Sequence, residues 1–262
     1  MIIDGHAHLI LPVENHLALM ETAGVEHTLL FSTRIHPEHA SDLSSLNQEL
    51  RLFDAIMAGQ ANDPPSMQQA ASDLAQVVQQ FPERFTGFVN VPLGLSQEET
   101  ATWIEKHALT SGSRGLGEFT LQSGSIDLLE VIFACASEYG NLPLWVHTFS
   151  PMRLEDIHQL IALSQRYPPV PLILGHMGGL HWRETIALAR EVPQTYIDLS
   201  GTFTFLGPRI AIRELPERTL FSSDAPFGHP LVARTIVEQA TSDTAVRRRV
   251  LGDNLAELLS LY

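Results

Sequence analysis

The sequence predicts an α/β chain folded as a (β/α)8 TIM barrel with a helical insertion after the second strand, and three observations carry that expectation. Short apolar, β-branched runs recur eight times, stretches of helical spacing separate them, and the 262 residues leave little beyond eight such units. Strands that alternate with helices pair in parallel, because a parallel neighbour is reached only through a crossover. A doubly wound sheet is the fallback, but so small a remainder suits it less well. A single domain spanning 1–262 accounts for the length.

In chain order, the strand runs are Ile2 to Leu9, His27 to Thr33, Phe85 to Leu93, Gly115 to Leu121, Pro143 to Thr148, Pro171 to Met177, Thr195 to Ser200 and Thr219 to Asp224. Helical spacing is plain in Val131, Ile132, Ala134 and Cys135, and again in Leu154, Ile157, Leu160 and Ile161, the latter opened by Ser150 and Pro151. An insertion at 34–65 follows the second strand. It holds an amphipathic segment from Leu46 to Met57 and closes with Asn62, Asp63, Pro64 and Pro65. In a barrel this is a βα loop, so it is expected either as a lid over the site or as a helical pair packed on the rim without a part in it. Leu251 to Tyr262 is expected to form a last helix that covers the barrel, and Arg247, Arg248 and Arg249 to face solvent.

Composition narrows the function classes. With 17 Gly and 16 Pro the chain is neither collagen-like nor of low complexity. A chain this long buries roughly 75% of its unfolded surface, so it needs no metal or disulfide staple and any metal is functional. The single cysteine, Cys135, excludes an intrachain disulfide. No run is long enough to span a membrane, and the first basic residue is Arg34, which leaves no basic region for a secretory signal. A cytoplasmic location is therefore expected. The net charge of −14, with one lysine against fifteen arginines, repels nucleic acid and anionic membranes and leaves a small molecule as the expected partner. Twelve histidines are the feature that composition does not explain.

The first strand carries Asp4-Gly5-His6-Ala7-His8, and the period of two aims His6 and His8 at one face. Two neutral imidazoles on one face suit zinc, iron, nickel or manganese, although a hydrogen-bonded histidine pair would look the same. Glu118, His147, His176 and Asp224 then fall at the ends of the fourth, fifth, sixth and eighth apolar runs, separated by 29, 29 and 48 residues. Those intervals are one, one and two repeats of similar length, which puts all four on one rim. Buried polar groups there would each cost several kcal/mol unless paired or metal-bound, so the set predicts a metal site. For Glu118 the alternative is an ion pair with a neighbouring arginine such as Arg114.

Taken in order, DGHAHL, GLGEF, LWVHT, LGHMGG, LFSSDAPFG and LGDNLAELL resemble the amidohydrolase superfamily, in particular its amidohydrolase-related group of metal-dependent hydrolases, over essentially the whole chain. The resemblance implies that His6 and His8 hold a buried metal with Asp224. It implies that His147 and His176 hold a second metal or, in one-metal members, that one of them coordinates the first ion while the other contacts substrate. Many two-metal members bridge the ions with a carboxylated lysine from the fourth strand. Here the only lysine, Lys106, precedes that strand, and Glu118 is the available substitute, as in TatD-type deoxyribonucleases. Two divalent ions are expected, zinc first, with manganese, nickel or iron as alternatives.

The function implied is hydrolysis of a small amide, lactone or related ester by a metal-activated water, with Asp224 as acid and base. Decarboxylases of the same superfamily share the sixth- and eighth-strand motifs and are the main rival. A TatD-type nuclease is disfavoured by the acidic charge, and a binding protein without turnover by the complete ligand set. Arg34 is a candidate either to hold a substrate carboxylate or to form a salt bridge in the lid, and His181, after the GHMGG turn, is a candidate to touch substrate. His36 and His39, in the insertion, read as loop histidines rather than as residues lining the mouth, and His16, His27, His107, His158 and His229 as structural or surface residues. Asp198 closes the seventh strand as support rather than as a ligand. The group commonly forms dimers or higher assemblies, so the resemblance leaves both a monomer and a homo-oligomer open.

Overall fold

Along each strand run, alternate side chains face opposite sides of a sheet, and in the computed structural model these sides become the inside and outside of a barrel. The structure describes residues 1–60 and 63–261; Asn62, expected at the close of the insertion, and Tyr262, expected at the end of the last helix, lie outside the described residues. Eight strands, β1 (Ile3–His8), β2 (His27–Phe31), β3 (Phe85–Val89), β4 (Gly115–Phe119), β5 (Leu144–His147), β6 (Leu172–Gly175), β7 (Thr195–Asp198) and β8 (Thr219–Leu220), form one sheet in sequence order. Every neighbouring pair is parallel. Backbone hydrogen bonds from Gly5 to Phe221 (2.8 Å), from Asp224 to His6 (2.7 Å) and from His8 to Ala225 (2.7 Å) join the last strand to the first.

The helices are α1 (Val13–Ala23), α2 (Leu43–Met57), α3 (Pro64–Gln80), α4 (Gln97–Trp103), α5 (Glu130–Glu138), α6 (Leu154–Ser164), α7 (Trp182–Glu191), α8 (Leu206–Glu214), α9 (Pro230–Ala240), α10 (Thr244–Arg248) and α11 (Asn254–Leu259). Outward strand residues such as Leu30, Val89, Leu144, Val146, Leu172, Leu174 and Ile197 pack with helix faces in one large core. Inward residues Leu29, Phe31, Phe88, Trp145, Ile173 and Leu220 form a second core inside the barrel, closed from below by Leu255, Ala256 and Leu259 of α11. No helix among the described residues is long and apolar enough to cross a membrane.

Several boundaries differ from the apolar runs for physical reasons. β8 stops at Leu220, because the chain then leaves β7 and pairs with β1 alone, turning at Asp224 with φ of 59°. The helix expected from Leu46 starts at Leu43, where the Asp42 carboxylate accepts the Ser45 N–H at 2.8 Å. α6 begins at Leu154 rather than directly after Pro151, with the Arg153 N–H bound to the Asp156 carboxylate at 2.7 Å. The last helix is shorter than expected. A π-helical turn at Arg249–Asp253 precedes α11, and Ser260 ends it with φ of 50°.

Candidate metal centre

The centre stands on an aromatic floor. Trp145 and His147 are two residues apart on β5 and share its inner face, so the indole lies one layer below the imidazole. Phe31, Phe88 and Trp145 meet with ring centroids 5.3 to 5.9 Å apart, and His6 packs on Phe31 at 4.6 Å and on Trp145 at 5.5 Å. Water is excluded from below, which strengthens every charge interaction above.

Gly117, at φ of 140°, lets β4 approach β5 closely; a Cβ there would come within 2.5 Å of the Trp145 carbonyl oxygen. That approach aims Glu118 into the barrel, where its two oxygens serve different imidazoles. Oε1 lies 3.0 Å from His147 Nδ1 and 3.0 Å from His176 Nε2, and those two nitrogens are themselves 3.0 Å apart. Oε2 lies 3.4 Å from His6 Nε2 and 3.7 Å from His8 Nε2. Asp224 Oδ1 stands 3.3 Å from His8 Nε2 and 3.8 Å from His6 Nε2. His176, like Asp224, has positive φ (59° for both), so each ligand-type side chain is thrown inward just past its strand.

A ring of fixed partners holds these groups. The Asp198 carboxylate, fully buried, binds His6 Nδ1 at 2.7 Å and accepts the Trp145 indole N–H at 3.0 Å. Ser200 Oγ is 2.9 Å from His176 Nδ1, and the Ser150 carbonyl is 3.1 Å from His147 Nε2. The Asn90 amide donates to the Glu118 carbonyl at 2.8 Å. Asp4 accepts the Ser223 N–H at 2.9 Å, and burial pushes its carboxyl up to about 6.

Burial opposes the charged form of His6, yet Glu118 and Asp198 raise its proton affinity well above that of an ordinary histidine. Burial likewise opposes ionisation of Glu118, but His6, His147 and His176 hold it well below the usual carboxylate range. Asp198 and Asp224 are lowered in the same way, by His6 and by His8, His176 and His6, against their burial. A field that pulls a proton to His6 also pulls a divalent cation.

The donor set fits such an ion. His6 Nε2 is buried with no hydrogen-bond partner, and His6, His8 and Asp224, like His6, Glu118 and His176, offer ligand atoms all within 4.8 Å of one another. The triangle of Glu118 Oε1, His147 Nδ1 and His176 Nε2 has the size of a tetrahedral ligand face, whose atoms stand about 3.3 Å apart at ordinary zinc distances.

Above the centre, a cavity is lined by His8, Glu118 and His147 together with Arg34, Phe53, Ile56, Met57, Met67, Asn90 and Phe227. Three of these residues belong to α2, and Phe53 packs on Phe227 at 5.7 Å. Arg34 donates to Ser66 Oγ at 3.2 Å, and burial lowers its pKa despite the nearby Asp63. His6, His8, Glu118, His147, His176 and Asp224 are thus brought together, with Arg34 in the cavity over them. His181 closes the turn that starts at His176, and among the described residues no hydrogen bond or ion pair joins its side chain to the cluster. Nor does any join Arg114 to Glu118. Trp145, Ser200, Asn90 and Asp4 were not singled out in the sequence. Trp145 and Asp4 had a signal, lying two residues before His147 and His6 on the same strand faces, whereas Asn90 and Ser200 had none beyond their place after a strand.

The fold is a barrel whose strands carry, at their C-terminal ends, a cluster of side chains that could hold a metal. The amidohydrolase family model matches residues 3–261, and the chain belongs to that family. No curated protein sequence matches it. Among solved structures, a dihydroxybenzoic acid decarboxylase from Polaromonas with bound manganese is similar at 19% identity and a TM-score of 0.67, over 99% of this chain and 97% of that one. A 5-carboxyvanillate decarboxylase from Sphingomonas paucimobilis is similar at 18% identity and a TM-score of 0.69, over 99% and 98%. A 4-oxalomesaconate hydratase from Rhodopseudomonas palustris is similar at 17% and 0.67, over 99% and 96%. At these identities the likeness speaks for the fold.

Proposed function

We propose that the chain is a metal-dependent hydrolase of a small amide, lactone or related ester, with two divalent ions, zinc first and manganese, nickel or iron as alternatives. The observation that carries this reading is Glu118. Its Oε1 lies beside His147 and His176 while its Oε2 faces His6 and His8, a division that supports a carboxylate shared between two ions. His6, His8 and Asp224 would hold one ion, and His147 and His176 the other. Held there, such ions would supply a water of pKa lowered toward ~7 and a Lewis acid for the substrate oxygen.

The chain's own groups do the rest. Asp224, kept ionised by His8, His176 and His6 against its burial, accepts a proton from the attacking water at Oδ2, since Oδ1 faces His6 and His8 as the ligand-type atom, and returns it to the leaving group. Asp198 keeps His6 in the tautomer that leaves Nε2 unprotonated. α2 and Phe227 wall the cavity against bulk water, and Arg34 orients a substrate oxygen or carboxylate.

In Asp224→Asn, turnover is expected to fall about 10²- to 10⁴-fold with the affinity for substrate little changed. Near-normal turnover in that variant with metal bound would overturn its role. Elemental analysis of the loaded protein is expected to give two ions per chain at the centre and fewer in Glu118→Ala. One ion, unchanged in that variant, would sink the bridging reading. Decarboxylation is the second reading, favoured by Arg34 in the cavity beside His8 and His147 and by the solved decarboxylases of similar fold. Release of CO2 from an aromatic carboxylic acid, with no turnover of amides or lactones, would establish it instead.

A further inference from the structure

A second set of metal-ligating side chains lies apart from the centre, in the turn between β2 and α2. Residues His36, Pro37, Glu38 and His39 form a 3-10 turn, with Pro37 at its first position. In a 3-10 turn residues three apart stand above one another. His36 and His39 accordingly stack, with ring centroids 5.3 Å apart and planes 20° from parallel. The Glu38 carboxylate lies beside both: Oε1 is 3.1 Å from His36 Nδ1 and 4.0 Å from His39 Nε2. One ligand atom from each of the three residues lies within 4.8 Å of the others.

Hydrogen bonds account for only part of this arrangement. His39 Nε2 reaches the Leu11 carbonyl at 3.0 Å, and the Leu11 N–H donates to Glu38 Oε1 at 3.4 Å. Glu38 Oε2, however, is buried with no hydrogen-bond partner. On α1 the His16 ring is also buried, its Nδ1 is unpartnered, and it lies near enough to Glu38 to feel its charge. The surroundings favour a cation. Burial opposes ionisation of Glu38, but His36 holds its carboxyl below the usual range, and Glu49 and Asp73 add negative charge around His36. The His36 N–H itself donates to Glu49 at 3.4 Å.

We infer that His36, Glu38 and His39 form a second metal site, which takes one Zn²⁺ through His36 Nδ1, His39 Nε2 and the Glu38 carboxylate. Two imidazoles and a carboxylate are an ordinary zinc donor set, and Glu38 Oε1 at 3.1 Å from His36 Nδ1 and 4.0 Å from His39 Nε2 is close to the roughly 3.3 Å ligand spacing of a tetrahedral ion. Binding would displace the protons that His36 Nδ1 and His39 Nε2 now share with Glu38 and the Leu11 carbonyl, and the freed Leu11 carbonyl, or a water, would take the fourth position. The ion would clamp the start of the segment that carries α2 to the chain just after β1, so it acts on the wall of the cavity and not on the reacting groups.

The test is a zinc count in solution together with a location in the crystal. The full chain is loaded with Zn²⁺, dialysed against metal-free buffer and measured by elemental analysis beside the His36→Ala/His39→Ala double variant and Glu38→Gln. The wild type is expected to retain one ion per chain more than the double variant, and Glu38→Gln to hold that ion more weakly against a chelator. Zinc-edge anomalous diffraction from the wild type is expected to show a peak between His36, Glu38 and His39, separate from any peak at Glu118. Equal zinc contents in wild type and double variant would overturn the inference. If the double variant does not fold, the wild-type anomalous map decides alone, and no peak at the turn overturns it.

Discussion

At the scale of single residues, the centre depends on groups that never face the substrate. His6 offers Nε2 only because Asp198 takes Nδ1 at 2.7 Å, and Asp198 is in turn held by the Trp145 indole. Replacing Asp198 by alanine removes that orientation and leaves the indole N–H buried without an acceptor. Metal affinity is expected to fall about 10- to 100-fold, read by chelator competition, while the folded secondary structure persists in circular dichroism. Unchanged affinity would mean that packing alone orients His6. The ligand-type residues could be read from spacing, since a period of two and a repeat of one βα unit are visible in any sequence. Ser200 and Asn90 could not, because a hydroxyl or an amide after a strand carries no sign of which neighbour the barrel will bring to it.

At the scale of elements, α2 buries none of its residues fully, yet Phe53, Ile56 and Met57 line the cavity. Little apolar burial holds it, so its N-terminal cap matters more than usual. Asp42 accepts the Ser45 N–H at 2.8 Å, and Asp42→Ala is expected to cost α2 about 1 kcal/mol. That loss would appear as faster amide hydrogen exchange confined to Leu43–Met57, with the exchange of the barrel strands unaltered. Faster exchange throughout the chain would show that α2 is bound cooperatively to the barrel. The amphipathic spacing made this helix legible. Its seat over the cavity was not, because spacing says which face is apolar and not what that face meets.

At the scale of the whole molecule, stability should depend on pH through a histidine far from chemistry. His16 is buried on α1 with its ring edge-on to Phe85 at 5.4 Å, and burial pushes its pKa down to about 4, only partly offset by Glu38. The folded state therefore holds it neutral while the unfolded chain protonates near pH 6.5. Its contribution is fully present above pH 6.5 and is lost as pH falls toward 4, by about 3 kcal/mol in all. Urea unfolding of the wild type and His16→Leu at pH 7 and pH 4.5 checks this: the wild type should lose more stability than the variant on acidification. Equal losses would show that His16 does not drive the change.

The amino-acid sequence by itself determined the repeat of strand and helix, the alternation along each strand, and the six ligand-type residues that stand at or just past the strand ends. All of that is local information, because a periodicity of two or of 3.6 is written in consecutive residues. Only the tertiary structure decided which atoms meet. It divided the two oxygens of Glu118 between two pairs of imidazoles, set Asp198 behind His6, laid α2 along the cavity and stacked His36 on His39 beside Glu38. Those contacts join residues as far apart as His6 and Asp198, and their geometry follows from barrel closure, which sums the twist and register of every strand and is recorded in no single stretch of chain.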